Sequence, residues 1–465
     1  MNAPMVWILF PMILAALLFA LRKWQLLVNF LGTGVSLLLS ALALVIPINL
    51  VVEPGFVQFS LPGDWTILGR IFTISQLEMP FISFMYMMVC IWFVLSWESK
   101  QSSLFIPLGL GVTAVLIAAL TVRPFIYGAL LIESAVLGCT LMLIEQPKPV
   151  GRGVIRFLVL QSLGMPFILL AGWFLASGEI TPINQTQLTL SVVLLVVGFA
   201  FWIGLFPLHT WIHMVAEEAE PRVSGFIFTI LPLPVIFFLM SFMNSFAWLR
   251  GYPLLFPVLR WLGSFMVLFA GVWMFFQNQL KTILGYLVIA LNGIALLSLG
   301  IKGFGGITLL TYFFLPRFLS ILLFVITLVW FEKRGNSNEG EILAGLAGRA
   351  PFIALSLLLT FFSISGLPFL PGFPFIQMVV KELVNLSYLA LIMFLAGILL
   401  FFLNGLRLFI LVYSKRSELE KEEEPVIFKG AIVFAFFILL FSGFFPNMAS
   451  SVLLNLADKF LLLMR

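Results

Sequence analysis

The chain is predicted to be an all-α polytopic membrane protein, and three observations carry that prediction. Its 465 residues are 62% hydrophobic and only 10% charged, against about 45–50% and about 25% in ordinary soluble domains. Its mean hydropathy is +1.16. Apolar runs of about twenty residues, the length that spans a bilayer, recur along its whole length. These numbers exclude a soluble globule, intrinsic disorder, collagen and a disulfide scaffold. They also disfavour a transmembrane barrel, whose strands are about ten residues of alternating polarity; the runs here are continuous.

Taken in order, the apolar runs fall near 5–21, 27–51, 79–96, 103–121, 124–144, 155–177, 187–207, 223–246, 254–275, 280–300, 305–330, 351–371, 384–413 and 427–446. That makes about fourteen helices at about 20 residues per span. The first run ends at Arg22-Lys23 with no small-residue cleavage site, so it reads as a retained span and not as a signal peptide. Between the second and third runs, Glu53 to Gln76 contains Pro54-Gly55, Pro62-Gly63 and the alternating Val57, Phe59 and Leu61. It reads as a short extracytoplasmic β-hairpin or loop.

Basic residues mark the cytoplasmic side. Arg22, Lys23, Lys100, Lys148, Arg152, Arg222, Lys333, Arg334, Arg349, Lys415, Arg416 and Lys421 lie in odd-numbered loops, whereas even-numbered loops carry mainly Arg70, Arg123, Arg250 and Lys302. The odd loops are therefore expected in the cytoplasm and both termini outside it. The run SKRSELEKEEE from Ser414 to Glu424 reads as a solvated cytoplasmic loop.

The net charge of +5 is small and dispersed, which points to lipid and not to nucleic acid as the surroundings. Cys90 and Cys139 lie inside apolar runs and read as small hydrophobes. His209 and His213 are the only histidines, too few for a haem or a His-rich metal site. No Gly-rich phosphate loop or cysteine cluster is present. No cofactor is therefore expected in this chain, and no catalytic site of its own.

An ionisable group at the bilayer centre costs about 2.5–3.5 kcal/mol on insertion scales, so each one is a candidate for function. Glu133 lies in the middle of the fifth run, too deep to snorkel. Glu78 opens the third run at the interface. Arg156 opens the sixth; it pairs with Glu133 or anchors its helix at the headgroups. Lys281 starts the tenth run, Arg317 follows Pro316 inside the eleventh, and Arg407 lies in the thirteenth. Lys381 and Glu382 lie between the twelfth and thirteenth. His209 ends the seventh run and suits proton handling because it titrates near neutrality; a hydrogen-bonded packing role is the alternative. Glu217, Glu218 and Glu220 follow as a solvated turn or a proton-collecting group.

At this stretch the sequence becomes familiar. Residues 207–224, PLHTWIHMVAEEAEPRVS, resemble the signature PLHxWLPDAHxEAPxxVS of the antiporter-like subunits of proton-translocating NADH–quinone oxidoreductase, respiratory complex I. Multisubunit cation/proton antiporters and membrane-bound hydrogenases share that module. NQLKTILGY, residues 278–286, is similar to the family's DLKRLLAYSS. Residues 341–373 are similar to its "LAGL-x-RR-x-P … SLAGIPPxxGF" segment. Glu133 takes the place of the family's fifth-helix glutamate.

The resemblance implies two inverted five-helix repeats, each with a broken helix, and Pro207 and Pro316 would fall near the breaks. The chain then divides into residues 1–100, three helices with the hairpin; 101–246, the first repeat; 247–413, the second; and 414–465, a charged loop and last helix. The resemblance also implies proton transfer along a buried axis of titratable groups, with quinone, flavin and iron–sulfur clusters confined to partner subunits of the membrane arm. The proton-pathway candidates carried over are Glu133, Arg156, His209, Glu218, Lys281, Arg317 and Lys381.

This sequence departs from the family at its lysines. Alignment on the motifs puts Trp202 at the seventh-helix lysine, Leu233 at the eighth-helix lysine, Ser320 at the eleventh-helix lysine and Ile376 at the twelfth-helix lysine. Trp, Leu and Ile hold no proton. Two forms follow: a subunit conducting by an altered path, or a structural member that fills a place in the arm. A subunit of a multisubunit cation/proton antiporter is the alternative, and an unrelated small-molecule transporter a third reading.

Overall fold

The computed structural model describes residues 2–49, 61–67, 69–98, 104–144, 149–177, 185–333, 343–414, 422–448, 460 and 463. Val57, Phe59, Lys100, Lys148, Arg334 and the charged stretch 415–421 lie outside the described residues.

The helices in chain order are α1 (Phe10–Ala20), α2 (Gln25–Val45), α3 (Met79–Leu95), α4 (Phe105–Thr121), α5 (Gly128–Leu143), α6 (Arg152–Ser177), α7 (Gln185–Ile203), α8 (Thr210–Glu218), α9 (Pro221–Ile230), α10 (Pro232–Ser245), α11 (Ala247–Arg250), α12 (Leu255–Phe275), α13 (Leu280–Leu299), α14 (Phe304–Glu332), α15 (Leu346–Arg349), α16 (Pro351–Ile364), α17 (Gly372–Leu386), α18 (Tyr388–Val412) and α19 (Val426–Phe444). Among the described residues each apolar run coincides at least in part with a helix, although the runs 187–207 and 351–371 extend past their helices and the run 223–246 is divided between α9 and α10. Among the described residues, 11 helical stretches are long and apolar enough to cross a membrane, and Met5–Ala20, Phe105–Thr121 and Pro351–Ile364 are shorter apolar helices. The chain is a multi-pass helical membrane protein. Helix is the required form, because in lipid the backbone must satisfy its own hydrogen bonds. Serines and threonines inside the helices also turn inward, as Thr113 does onto the Gly109 carbonyl at 2.8 Å.

The expected hairpin forms later than the alternating residues. Strand β1 (Asp64–Ile67) pairs antiparallel with β2 (Arg70–Thr73), and β2 pairs with β3 (Val122–Arg123) just after α4. Gly69 turns the hairpin at φ +73°. Two of the even-loop basic residues hold it down. Arg70 donates to the Tyr127 hydroxyl at 2.6 Å, and Arg123 Nε donates to Thr73 Oγ1 at 3.4 Å.

The chain forms two compact units. The first contains Met1–Gly204 and Ile230–Leu249; the second contains Leu205–Thr229 and Arg250–Ala457. In the first, α3 is the most enclosed helix of the N-terminal group. Ser40 and Ser83 exchange hydrogen bonds with each other's carbonyls at 2.9 Å, tying α2 to α3. In the second, α13 and α14 are buried almost throughout. A helix that is apolar all round belongs where neighbours cover every face.

Two helix breaks stand out, and they share chemistry. After α7, Gly204 takes φ +70° and Pro207 follows before α8 begins. After α16, Gly366 takes φ +83° and Phe369 φ +72°, with Pro368 and Pro371 beside them, before α17 begins. The break expected near Pro316 is not there. Helix α14 runs continuously from Phe304 to Glu332 with Pro316 inside it. Burial among neighbouring helices lets a helix keep an internal proline, whereas left-handed backbone ends it.

Candidate polar axis

In the first unit, Glu133 projects from α5. Its Oε1 accepts a hydrogen bond from Ser162 Oγ on α6 at 2.5 Å. Its other oxygen is buried and has no hydrogen-bond partner among the described residues. Arg156 is exposed on α6 and makes no ion pair with Glu133 among the described residues.

Beside Ser162, Gln161 and Trp202 lock α6 to α7. Trp202 Nε1 donates to the Gln161 carbonyl at 2.9 Å, and Gln161 Nε2 donates to the Trp202 carbonyl at 3.1 Å. Both side chains are buried. Gly164 makes room for the indole, because a methyl group there would collide with the ring. Gly198 brings the two helices close in the same way, its missing side chain leaving room for Ile168. Phe199 and Phe238 pack against the indole with ring centroids 5.9 and 6.0 Å away. Trp202, which the resemblance aligns with a family lysine, is thus a ring with its one polar atom already paired. Leu233, which the resemblance aligns with the next family lysine, is buried in α10.

In the second unit, His209 sits at the start of α8. It is buried, stacks on Phe206 at 5.5 Å and meets Phe269 edge-on at 4.9 Å. Its Nδ1 has no hydrogen-bond partner among the described residues. His213 stacks on Tyr286 at 5.6 Å, and Gly285 gives its backbone room. Glu218 is exposed at the end of α8. Lys281 pairs with Glu332 at 2.5 Å, half-exposed where α13 begins and α14 ends. That is a helix-end ion pair, away from the middle of either helix.

Arg317 lies near the middle of α14 and is fully buried. Its Nη2 donates to Asn292 Oδ1 on α13 at 2.7 Å and to the Phe228 carbonyl at 3.3 Å. Nε and Nη1 have no hydrogen-bond partner among the described residues, and no carboxylate pairs with the guanidinium there. One turn on, Ser320 begins a strip of hydroxyls between α14 and α16. Ser320 Oγ lies 3.0 Å from Ser363 Oγ, and Thr327 Oγ1 lies 2.7 Å from Ser356 Oγ. Thr360 sits between the two pairs and donates to the carbonyls of Ser320 and Ser356 at 3.3 and 3.0 Å. Ser365, half-buried at the helix break, has a buried Oγ without a hydrogen-bond partner among the described residues. Ile376 on α17 covers Gly366 in that break. Lys381 is exposed on α17 and joins none of these groups.

The structure therefore brings Glu133 to Ser162 and Arg317 to Asn292 and the neighbourhood of Ser320. It leaves Arg156, Glu218 and Lys381 at exposed positions. Sequence reasoning passed over Ser162, Gln161, Asn292 and the hydroxyl strip. The strip did leave a trace, since Ser356, Thr360 and Ser363 recur at helical spacing and Ser320 and Thr327 are two turns apart. Among the described residues no group of three or more His, Cys, Asp or Glu stands together to hold a metal ion. Cys90 and Cys139 are buried and unpaired as thiols.

A family model described as NADH:quinone oxidoreductase/Mrp antiporter, TM matches residues 154–402, more than half of the chain. The chain is 25% identical over 279 residues to NADH-quinone oxidoreductase subunit N of Pelagibacter ubique, covering 58% of each protein. It is 29% identical over 308 residues to the subunit N of Desulforamulus reducens, covering 61% of this chain and 60% of that one. The matched stretch thus spans about three-fifths of these curated relatives. Among solved structures, a chain of the membrane-bound sulfane sulfur reductase, an archaeal respiratory membrane complex, is similar at TM-score 0.85 and 15% identity, covering 100% of both chains. A chain of the Mrp complex from Dietzia sp. is similar at TM-score 0.81 and 14% identity, covering 100% and 99%. A chain of respiratory complex I from Thermus thermophilus is similar at TM-score 0.73 and 20% identity, covering 99% of both. The likeness in fold runs the length of the chain, the sequence model covers both breaks and the polar groups around them, and on these grounds the chain belongs to the NADH:quinone oxidoreductase/Mrp antiporter transmembrane family.

Proposed function

We propose that the chain is an antiporter-like membrane-arm subunit of a proton-translocating oxidoreductase of the NADH–quinone type, and that it supports the arm instead of carrying protons through a lysine relay of its own. The observation that carries the supporting role is the Trp202–Gln161 lock. An indole cannot accept and release a proton, and here its N–H is already committed to a carbonyl. Glu133 fits the same reading, because Ser162 is its hydrogen-bond partner and no lysine or arginine stands against it among the described residues. Names of relatives support the class of assembly.

On this reading the chain carries no cofactor; quinone, flavin and iron–sulfur clusters belong to partner subunits. Residues 101–246 and 247–413 are its two inverted repeats. It resides in a bacterial-type inner membrane or an equivalent energy-transducing membrane, with both termini on the non-cytoplasmic side. Likeness in fold to the Mrp complex favours a second reading, a subunit of a multisubunit cation/proton antiporter.

Affinity purification of the tagged chain from its native membrane separates the two. Co-purifying iron–sulfur and quinone-site subunits support the oxidoreductase; small antiporter subunits without redox centres support the other. In the purified complex, Glu133→Gln is expected to leave substrate-driven proton uptake within about twofold of the unmodified enzyme. A tenfold fall with intact assembly would reinstate conduction through this subunit.

A further inference from the structure

Arg317 is the most enclosed charge in the second unit, and nothing in the proposed function uses it as a relay. A guanidinium cannot give up its proton in a protein, so it cannot pass one along. A charge in the middle of a span is costly, and among the described residues no carboxylate offsets this one. Its described partners are an amide oxygen and a backbone carbonyl, both neutral.

Its position explains what an uncompensated cation can do. Ser320 lies three residues on, about 4.5 Å along the helix axis. From there the hydroxyls of Ser363, Thr360, Ser356 and Thr327 form the polar strip between α14 and α16, and the buried Oγ of half-buried Ser365 extends it to the helix break. Hydroxyls both donate and accept, so such a strip, once hydrated, is a path along which an excess proton can hop. Like charges repel steeply in this setting. Two unit charges about 6 Å apart at an effective dielectric of about 20 disfavour occupancy by about a hundredfold.

We propose that Arg317 is a fixed positive charge that bars protons from the hydroxyl strip between α14 and α16, keeping the second unit an insulator. The inference deepens the supporting role proposed above: a subunit that fills a place in a proton-translocating arm must not short-circuit it. Asn292 is part of the device. Being neutral, it orients the guanidinium without cancelling its charge, which an aspartate of the same shape would do.

The test uses the full chain in liposomes loaded with a pH-sensitive dye, with an inward proton force imposed by a potassium gradient and valinomycin. The wild-type chain should be as tight as protein-free vesicles. Asn292→Asp places a carboxylate against the guanidinium with almost no change of shape, and it should raise passive proton influx at least about tenfold. Arg317→Gln should do the same, Arg317→Lys should stay tight, and adding Ser320→Ala and Ser363→Ala to Asn292→Asp should abolish the leak. A leaky wild-type chain overturns the proposal. So does an Asn292→Asp chain as tight as wild type, whatever Arg317→Gln does, including failing to fold. Because passive leakage of the chain alone is measured, the result is independent of which subunits co-purify with it.

Discussion

Trp202 is the residue whose replacement says most about the first unit. It is buried, both its indole N–H and its backbone carbonyl are engaged by Gln161, and Gly164 is shaped to it. Trp202→Ala is expected to cost about 3–5 kcal/mol, as large-to-small changes in packed interiors do. Trp202→Phe keeps most of the ring and loses the bond to the Gln161 carbonyl, and should cost about 1–3 kcal/mol. Trp202→Lys, which introduces the residue expected here from the resemblance, should destabilise more than phenylalanine, because the ammonium would lie against Phe199 and Phe238. Thermal unfolding of the purified variants in detergent gives the order, and a lysine variant as stable as wild type would show that the position opens onto a polar space. Lys281 contrasts with it: a half-exposed pair with Glu332 is worth at most about 1 kcal/mol.

At the scale of elements, the two breaks repeat one solution: a left-handed glycine followed by proline. Gly366 is the sharper case, at φ +83° with the side chain of Ile376 across it. Gly366→Ala should therefore lose about 1–2 kcal/mol from the backbone alone, plus the clash with Ile376 Cδ1, which lies 2.5 Å from where the new methyl would sit. Adding Ile376→Ala should recover the second part and not the first, and a double variant fully as stable as wild type would refute the backbone argument. Hydropathy located every apolar run, because the bilayer demands length and apolarity of each span. Glu133 and Arg317 stood out because charges there are expensive. The break within residues 351–371 stayed hidden, since its apolar character is unbroken and the positive φ of Phe369 has no compositional mark. Pro316 misled because a proline reads as a break, whereas buried surroundings let α14 continue through it. The hydroxyl strip escaped notice because serine and threonine count as nearly neutral on a hydropathy scale. Their role depends on which helix they face.

For the whole molecule, loop charges predict orientation, with cations concentrated in the odd loops. A reporter active only outside the cytoplasm, fused after Arg465, should be active, and fused in the loop after Lys333 it should be silent. The reverse pattern would invert the proposed orientation. The path of the chain adds a constraint of another kind. Residues 205–229 belong to the second unit, and the chain then returns to the first for Ile230–Leu249. No single cut separates the units. During synthesis the segment carrying His209 emerges before most of its own unit exists, and the first unit stays unfinished until α10 arrives. Two pieces divided once near the middle would each carry a segment of the other's unit, so neither piece holds a whole unit by itself.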